Sequence, residues 1–142
     1  MKVIDIVVRD LVTIPLTATV LEAAKLMVQH NLGLLVVCDP NDRTKLLGVV
    51  SERDIIRSIA SGNRLPPTVD AITTRNPVTV EETSDVAEAA KAMNKRGIRH
   101  VVVVNARKVP VGVISMRDLV GERATLNAIL KSDEKDVFVG GD

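Results

Sequence analysis

The chain has 142 residues and a formal net charge of +1, so it lacks the basic excess that draws proteins generally to nucleic acid or anionic membrane. Apolar residues make up 46% of it, enough for a substantial core, but Phe138 is its sole aromatic. That leaves no stacking platform for single-stranded nucleic acid and makes the core one of Val, Ile, Leu, Met and Ala. Cys38, the single cysteine, lies in the apolar run 34–38 and reads as a small buried hydrophobe of a reducing compartment. The start, Met1-Lys2-Val3-Ile4-Asp5, has no signal-peptide apolar region, and no apolar run reaches membrane-spanning length. A soluble, cytoplasmic protein is expected.

The first element expected is a short extended stretch, Leu11-Val12-Thr13-Ile14. A helix follows, with apolar positions at Val20, Ala24, Met27 and Val28. Thr19, three residues before Glu22, has capping-box spacing, and His30-Asn31 close the helix, Asn31 being suited to a left-handed C-terminal position. Two strands, Leu34 to Cys38 and Leu46 to Val50, flank the turn 39–42, and a second helix opens at Ser51. After the linker 61–67 the same order returns. Pro77-Val78-Thr79-Val80 is extended. A helix then carries Val86, Ala90 and Met93, with Asp85 three residues before Glu88 and Lys95-Arg96-Gly97 at its end. Strands Val101 to Val104 and Val109 to Ile114 flank the turn 105–108, and a last helix opens at Ser115 and is expected to run through Leu126, Ile129 and Leu130. The charged, Gly-Gly ending 131–142 reads as a frayed end or a partner contact.

This order is a duplication, visible residue by residue. Val20-Leu21-Glu22-Ala23-Ala24-Lys25-Leu26-Met27 recurs as Val86-Ala87-Glu88-Ala89-Ala90-Lys91-Ala92-Met93, and Gly48-Val49-Val50-Ser51-Glu52-Arg53-Asp54 recurs as Gly112-Val113-Ile114-Ser115-Met116-Arg117-Asp118. The first pair is offset by 66 residues and the second by 64. The slip of two falls in the turn between the paired strands, where insertions are best tolerated. A unit of roughly 60 residues buries too little surface to be stable alone. The expected fold is therefore α+β, a mixed α/β sandwich of two β-α-β-β-α repeats packed on each other. The repeats are 1–62 and 63–124, with 125–142 a C-terminal tail. Two similar units packed together build two related clefts.

Ser51-x-x-Asp54 and Ser115-x-x-Asp118, each after Gly and two apolar residues, are the sharpest chemical signals. One reading is a helix start, in which the serine caps the amides and the acid caps back. Against it, both first helices use Glu at this position while both second helices use the shorter Asp. The glycine also permits close backbone approach. The other reading is a binding site, since a carboxylate at a strand-to-helix junction can accept both hydroxyls of a ribose, and helix amides hold anions.

Four features occur twice and in order: the segments Val3-Ile4-Asp5-Ile6 and Val69-Asp70-Ala71-Ile72, the Val-Thr stretches, the Glu-Ala-Ala helices and the Gly-x-x-Ser-x-x-Asp runs. On these the chain resembles the tandem CBS (cystathionine β-synthase) domain, over residues 2 to 122. The resemblance implies two repeats about a pseudo-twofold axis, sheet against sheet, with two clefts for adenosine-containing ligands: AMP, ADP, ATP or S-adenosylmethionine. It implies that Asp54 and Asp118 hold ribose hydroxyls with Ser51 and Ser115 beside them. Val12, Thr13, Ile14 and Pro15, and Val78, Thr79 and Val80, would supply backbone bonds and apolar contact to adenine. Arg99, His100, Arg53 and Arg117 are the candidates for phosphate. Arg99 also reads as an exposed surface charge, and His100 as a strand-end histidine. His30 reads as a helix-end cap favoured by the dipole.

The copies differ where the second has Arg99-His100 and the first has Gly33-Leu34. Only the cleft facing Arg99 and His100 is equipped for a phosphorylated ligand, and the sequence leaves open which ribose acid shares it. The expected function is a regulatory module that senses an adenine nucleotide and signals to a separate, unknown protein, itself a homodimer. It would not be an enzyme and would carry no catalytic cofactor or metal, because the sequence offers neither a nucleophile paired with a base nor metal-ligand spacing. The alternatives are a ligand-independent homodimerisation or interaction module and an S-adenosylmethionine sensor.

Overall fold

The two copies meet through apolar strands, and the reason is legible in their composition. Strands buried on both faces read as unbroken aliphatic runs, and Leu34-Leu35-Val36-Val37-Cys38 and Val101-Val102-Val103-Val104 are such runs. The computed structural model describes residues 1–7, 11–62, 64 and 68–121. The first sheet has strand order β1-β2-β3-β4, with β1 at Thr13–Ile14, β2 at Leu34–Asp39, β3 at Asp42–Ser51 and β4 at Thr74–Arg75. The second has order β5-β6-β7, with β5 at Thr79–Glu81, β6 at His100–Val104 and β7 at Pro110–Ser115. Helices α1 (Val20–His30), α2 (Glu52–Ala60) and α3 (Val86–Arg96) accompany them, and a fourth, α4, is described over 116–121. The α+β sandwich of two β-α-β-β-α units is the observed fold. The part of the last helix expected around Leu126, Ile129 and Leu130 lies outside the described residues.

Alternation along the strands sorts the core into three layers. Leu35, Val37 and Val50 face α1 with Ala23 and Met27, while Val101, Val103 and Ile114 face α3 with Ala89 and Met93. The intervening residues Val36, Cys38, Val102 and Val104 pack sheet against sheet in the seam, flanked by Val49 and Val113. Burial there pushes the Cys38 thiol above its ordinary range, as expected of an inert core cysteine.

The helix ends follow local rules. Thr19 Oγ1 accepts from the Glu22 amide at 3.0 Å and Glu22 Oε2 from the Thr19 amide at 3.2 Å. Asn31 and Gly97 take left-handed conformations at the ends of α1 and α3, with φ of 53° and 63°. At α3 Asp85 caps the amide of Ala87, two residues on, at 3.2 Å. The turn 39–42 is tighter than expected: Asp39 pairs with Asp42 across Pro40-Asn41, and Asp39 Oδ1 accepts from the Asn41 amide at 2.9 Å.

Beyond the expected elements, the copies exchange segments. Val3 opens a 3-10 turn (Val3–Asp5) and is fully buried in the second repeat's core, while Val69 opens the equivalent turn (Val69–Ile72) and is fully buried in the first. The bonds that hold them are paired by the duplication. The Val3 amide donates to Ser84 O at 2.8 Å and the Ile4 amide to Glu82 O at 2.8 Å; the Val69 amide donates to Ala18 O at 2.9 Å and the Asp70 amide to Leu16 O at 3.2 Å. After its turn, the second segment continues into β4, which joins the first sheet with Gly48 opposite Arg75.

That junction explains one glycine. A Cβ at Gly48 would stand 2.6 Å from Thr73 Cγ2 and closer still to the Thr74 carbonyl oxygen, so the backbone itself would have to move. The close approach expected at this glycine is made by β4. Gly48→Ala is expected to lower the unfolding free energy by about 1–3 kcal/mol, the usual range for overpacking. Urea denaturation measures it, and a change below about 0.5 kcal/mol, the surface range, would show that β4 yields freely.

Candidate functional site

Helix α2 begins where β3 ends, and its first turn is built by Ser51 and Asp54. The Ser51 amide and Oγ both donate to Asp54 Oδ2, at 2.8 and 2.9 Å, and the Asp54 amide donates to Ser51 Oγ at 3.2 Å. The second copy repeats this, with the Ser115 amide on Asp118 Oδ2 at 2.8 Å and the Asp118 amide on Ser115 Oγ at 3.1 Å. Asp therefore does cap back despite its length, onto both the amide and the hydroxyl of Ser51. The cap engages Oδ2 and fixes the carboxylate, half-buried, at a rim between the repeats.

At that rim opens a cleft of about 650 Å³. One wall comes from the first repeat: Gly33 and Leu34 at the head of β2, Ser51 at the end of β3, and Glu52, Arg53, Asp54 and Arg57 on α2. Strand β4 and its connection to β5, together residues 74–78, run along it. The opposite wall is the end of α3 and the start of β6, residues 96–100, with Val102 behind. Asp54 is thus the acid that faces Arg99 and His100.

Of the residues singled out in the sequence, Ser51, Arg53, Asp54, Val78, Arg99 and His100 come together here. Thr79 and Val80 do not line this cleft; Thr79 is exposed and Val80 packs into the second core. Val12, Thr13, Ile14, Pro15, Ser115, Arg117 and Asp118 also lie outside it, at the positions the duplication makes equivalent to Val78, Thr79, Val80, Glu81, Ser51, Arg53 and Asp54. Ile14 is buried in the first core, which leaves only its backbone for any ligand.

Sequence reasoning passed over Arg57, Arg75 and Arg96. Arg57 follows Arg53 by four residues and so shares its helix face, a signal that was available. Arg75 reaches the cleft through the pairing of β4, for which no local signal exists. The Arg75 guanidinium pairs with Asp70 at 2.5 Å. Arg53, Arg57, Arg96 and Arg99 have no ion-pair partner among the described residues. Five arginines against Glu52 and Asp54 make this cleft positive in a chain that is nearly neutral overall.

His100 begins β6 opposite Ser115, where the first repeat places Leu34 opposite Ser51. Burial pushes the imidazole below its ordinary range, Asp118 and Glu52 push it back up, and Arg99 adds to the lowering. Among the described residues no cluster of His, Cys, Asp and Glu is placed to hold a metal, and no helix is long and apolar enough to cross a membrane. The arrangement suits a small molecule with hydroxyls at one end and an anionic group at the other: an anchored carboxylate, an apolar run past Pro77 and Val78, and a cationic wall.

The CBS domain family matches residues 3–61 and 69–124. Among solved structures, a CBS domain protein from Pyrobaculum aerophilum complexed with AMP is 37% identical, with a TM-score of 0.82 over 93% of this chain and 100% of that one. A CBS domain pair in complex with 5′-methylthioadenosine and S-adenosyl-L-methionine is 29% identical, with a TM-score of 0.76 over 84% of this chain and 96% of that one. An uncharacterized 17.7 kDa protein of Acidianus ambivalens is 34% identical over 118 residues, 83% of this chain and 70% of its own length. With both halves matched in sequence and the same sandwich in the solved relatives, the chain belongs to the CBS domain family and carries two of its repeats.

Proposed function

We propose that this is a non-catalytic regulatory module that binds an adenine nucleotide (AMP, ADP or ATP) in the cleft between its repeats and modulates a separate partner protein. The observation that carries the reading is the placement of Asp54 and its serine cap opposite Arg99 and His100 in one positive cleft. The AMP bound by the Pyrobaculum aerophilum relative supports the ligand class. In this reading Asp54 accepts the ribose hydroxyls, the backbone and apolar surface at Pro77 and Val78 meet adenine, and Arg53, Arg99 and His100 hold phosphate, with Arg57 and Arg96 beside them. Occupancy would favour one relative arrangement of the repeats, which the partner reads.

Self-association belongs to the same proposal. Leu21 and Val28 on α1 and Ile56 and Ile59 on α2 are exposed aliphatic residues of the first repeat. We assign a homodimer contact to this face, and Val28→Glu with Ile56→Glu should move the protein to monomer mass in light scattering. An unchanged mass would remove that face from the contact.

The nucleotide reading is tested by a thermal-shift screen against AMP, ADP, ATP, S-adenosylmethionine and guanosine nucleotides. A ligand at a hundred times its dissociation constant stabilises by about 2.7 kcal/mol. A shift confined to adenosine ligands is expected; none with any of them would favour the ligand-independent interaction module. Asp54→Asn keeps an acceptor for the cap but loses the charge, and is expected to weaken AMP roughly tenfold to a hundredfold, the loss of a hydrogen bond to a charged group. Asp118→Asn, which changes a charge beside His100 but none of the cleft's lining residues, should weaken AMP less than Asp54→Asn does.

A second reading, an S-adenosylmethionine sensor, is favoured by the relative that holds that ligand. A sulfonium cation gains nothing from the arginine wall, so Arg99→Glu should weaken AMP by more than about tenfold while leaving S-adenosylmethionine nearly unchanged. Equal loss of both would remove Arg99 from the phosphate site.

A further inference from the structure

We propose that anion binding in this cleft takes up a proton at His100, so that the module responds to nucleotide and to pH through one side chain. The inference rests on the nucleotide reading above and adds to it how the phosphate end is recognised. Its basis is where the imidazole stands. His100 belongs to the second repeat, yet it lies across the seam against Gly33 of the first: a Cβ on Gly33 would be 3.4 Å from His100 Cε1, 3.5 Å from Nε2 and 3.3 Å from Glu52 Oε1. Gly33 is the counterpart of Arg99 in the duplication, and its backbone is not in the left-handed region that would itself demand glycine. What the missing side chain provides is room, so that the ring and the Glu52 carboxylate approach the same point while His100 still lines the cleft.

The charged groups around His100 come from every element packed on it. Glu52 approaches from the first turn of α2, Asp118 from the first turn of α4, and Arg99 from the preceding position of its own chain. Asp54, Arg53, Arg57, Arg75 and Arg96 complete the cleft walls. Burial and Arg99 disfavour the imidazolium; Glu52 and Asp118 favour it, and the balance in the empty protein lies on the neutral side. A dianionic phosphate entering the cleft adds negative charge within reach of the ring, and the imidazolium gives it a second N–H donor. Occupied and empty states therefore bind different numbers of protons.

The sign follows from linkage. A group that titrates higher in the complex than in the free protein takes up protons on binding, so affinity rises as pH falls through the interval between the two values and levels off below it. The ligand's own chemistry runs the other way: a phosphate monoester gains its second proton near a pKa of about 6, which removes the dianion as pH falls. Net proton uptake near neutrality thus comes from the protein and not from AMP.

The experiment is isothermal titration of the full chain with AMP at pH 7.0 in buffers of different ionisation enthalpy, followed by affinity measurements from pH 6.5 to 8.0. Uptake of a fraction of a proton is expected, with AMP bound about three- to tenfold more tightly at pH 6.5 than at 8.0. His100→Gln should still bind but lose both the uptake and the slope, and Glu52→Gln should reduce the slope. An NMR titration of His100 in free and AMP-bound wild-type protein reads the same quantity without relying on a variant: His100 should titrate higher in the complex. AMP binding with no uptake, with release, or with uptake that persists in His100→Gln overturns the proton linkage and leaves the nucleotide reading standing. Absence of binding by AMP, ADP and ATP alike overturns both.

Discussion

The exchange of Val3 and Val69 is the constraint on which the rest of the molecule depends. Each sits fully buried in the core of the opposite repeat, held by the same pair of backbone hydrogen bonds. Neither repeat has a complete core without a segment of the other, which is how two units too small to be stable alone make one fold. The exchange also decides the composition of the cleft. Because residues 69–75 are tied to the first repeat, the chain leaves β4 alongside α2 and carries Asn76, Pro77 and Val78 past Asp54. The acid of one copy thereby meets the extended segment and the basic strand end of the other.

In the proposed reading, the Ser51–Asp54 pair serves folding and recognition with one geometry. Alternative readings of the motif, cap or ribose acid, turn out to describe the same atoms: the cap bonds engage Oδ2 and hold the carboxylate at the cleft rim. A preorganised acceptor loses little side-chain entropy when it binds, since that entropy was already lost in folding. It follows that a variant at Asp54 mixes stability with affinity, whereas a variant at Arg99, exposed and without an ion-pair partner among the described residues, reports on affinity more cleanly.

What the sequence disclosed, and what it did not, divides by range of interaction. The helices, the β2–β3 and β6–β7 pairs and the caps at Thr19 and Ser51 were legible because their signals lie within a few residues. The 3-10 turns and β4 were not: a two-residue strand has no periodicity, and Thr74–Arg75 is a strand only because β3 lies beside it. The electrostatic difference between Arg99-His100 and Gly33-Leu34 could be read from the duplication, but not that Asp54 is the acid opposite, since that follows from the exchange. Thr79 and Val80 were placed with Val78 by their neighbourhood in sequence; Val78 lines the cleft, while Thr79 is exposed outside it and Val80 packs into the second core.

The duplication makes the divergence between copies informative. Residues that build the seam and cores remain apolar in both, Val36 against Val102 and Met27 against Met93, while the residues at the cleft mouth have changed from Gly33-Leu34 to Arg99-His100. Selection for packing alone accounts for the first set and leaves the second without a cause. Arg53, Arg57, Arg96 and Arg99 repel one another across a cleft drawn from both repeats, and that repulsion is relieved by an anion that touches both walls. An anion in that position has a direct hold on how the repeats sit against each other. In the proposed reading that hold is the differential contact a ligand needs in order to shift a conformational equilibrium, and it arises because the fold brings like charges from two elements together without pairing them.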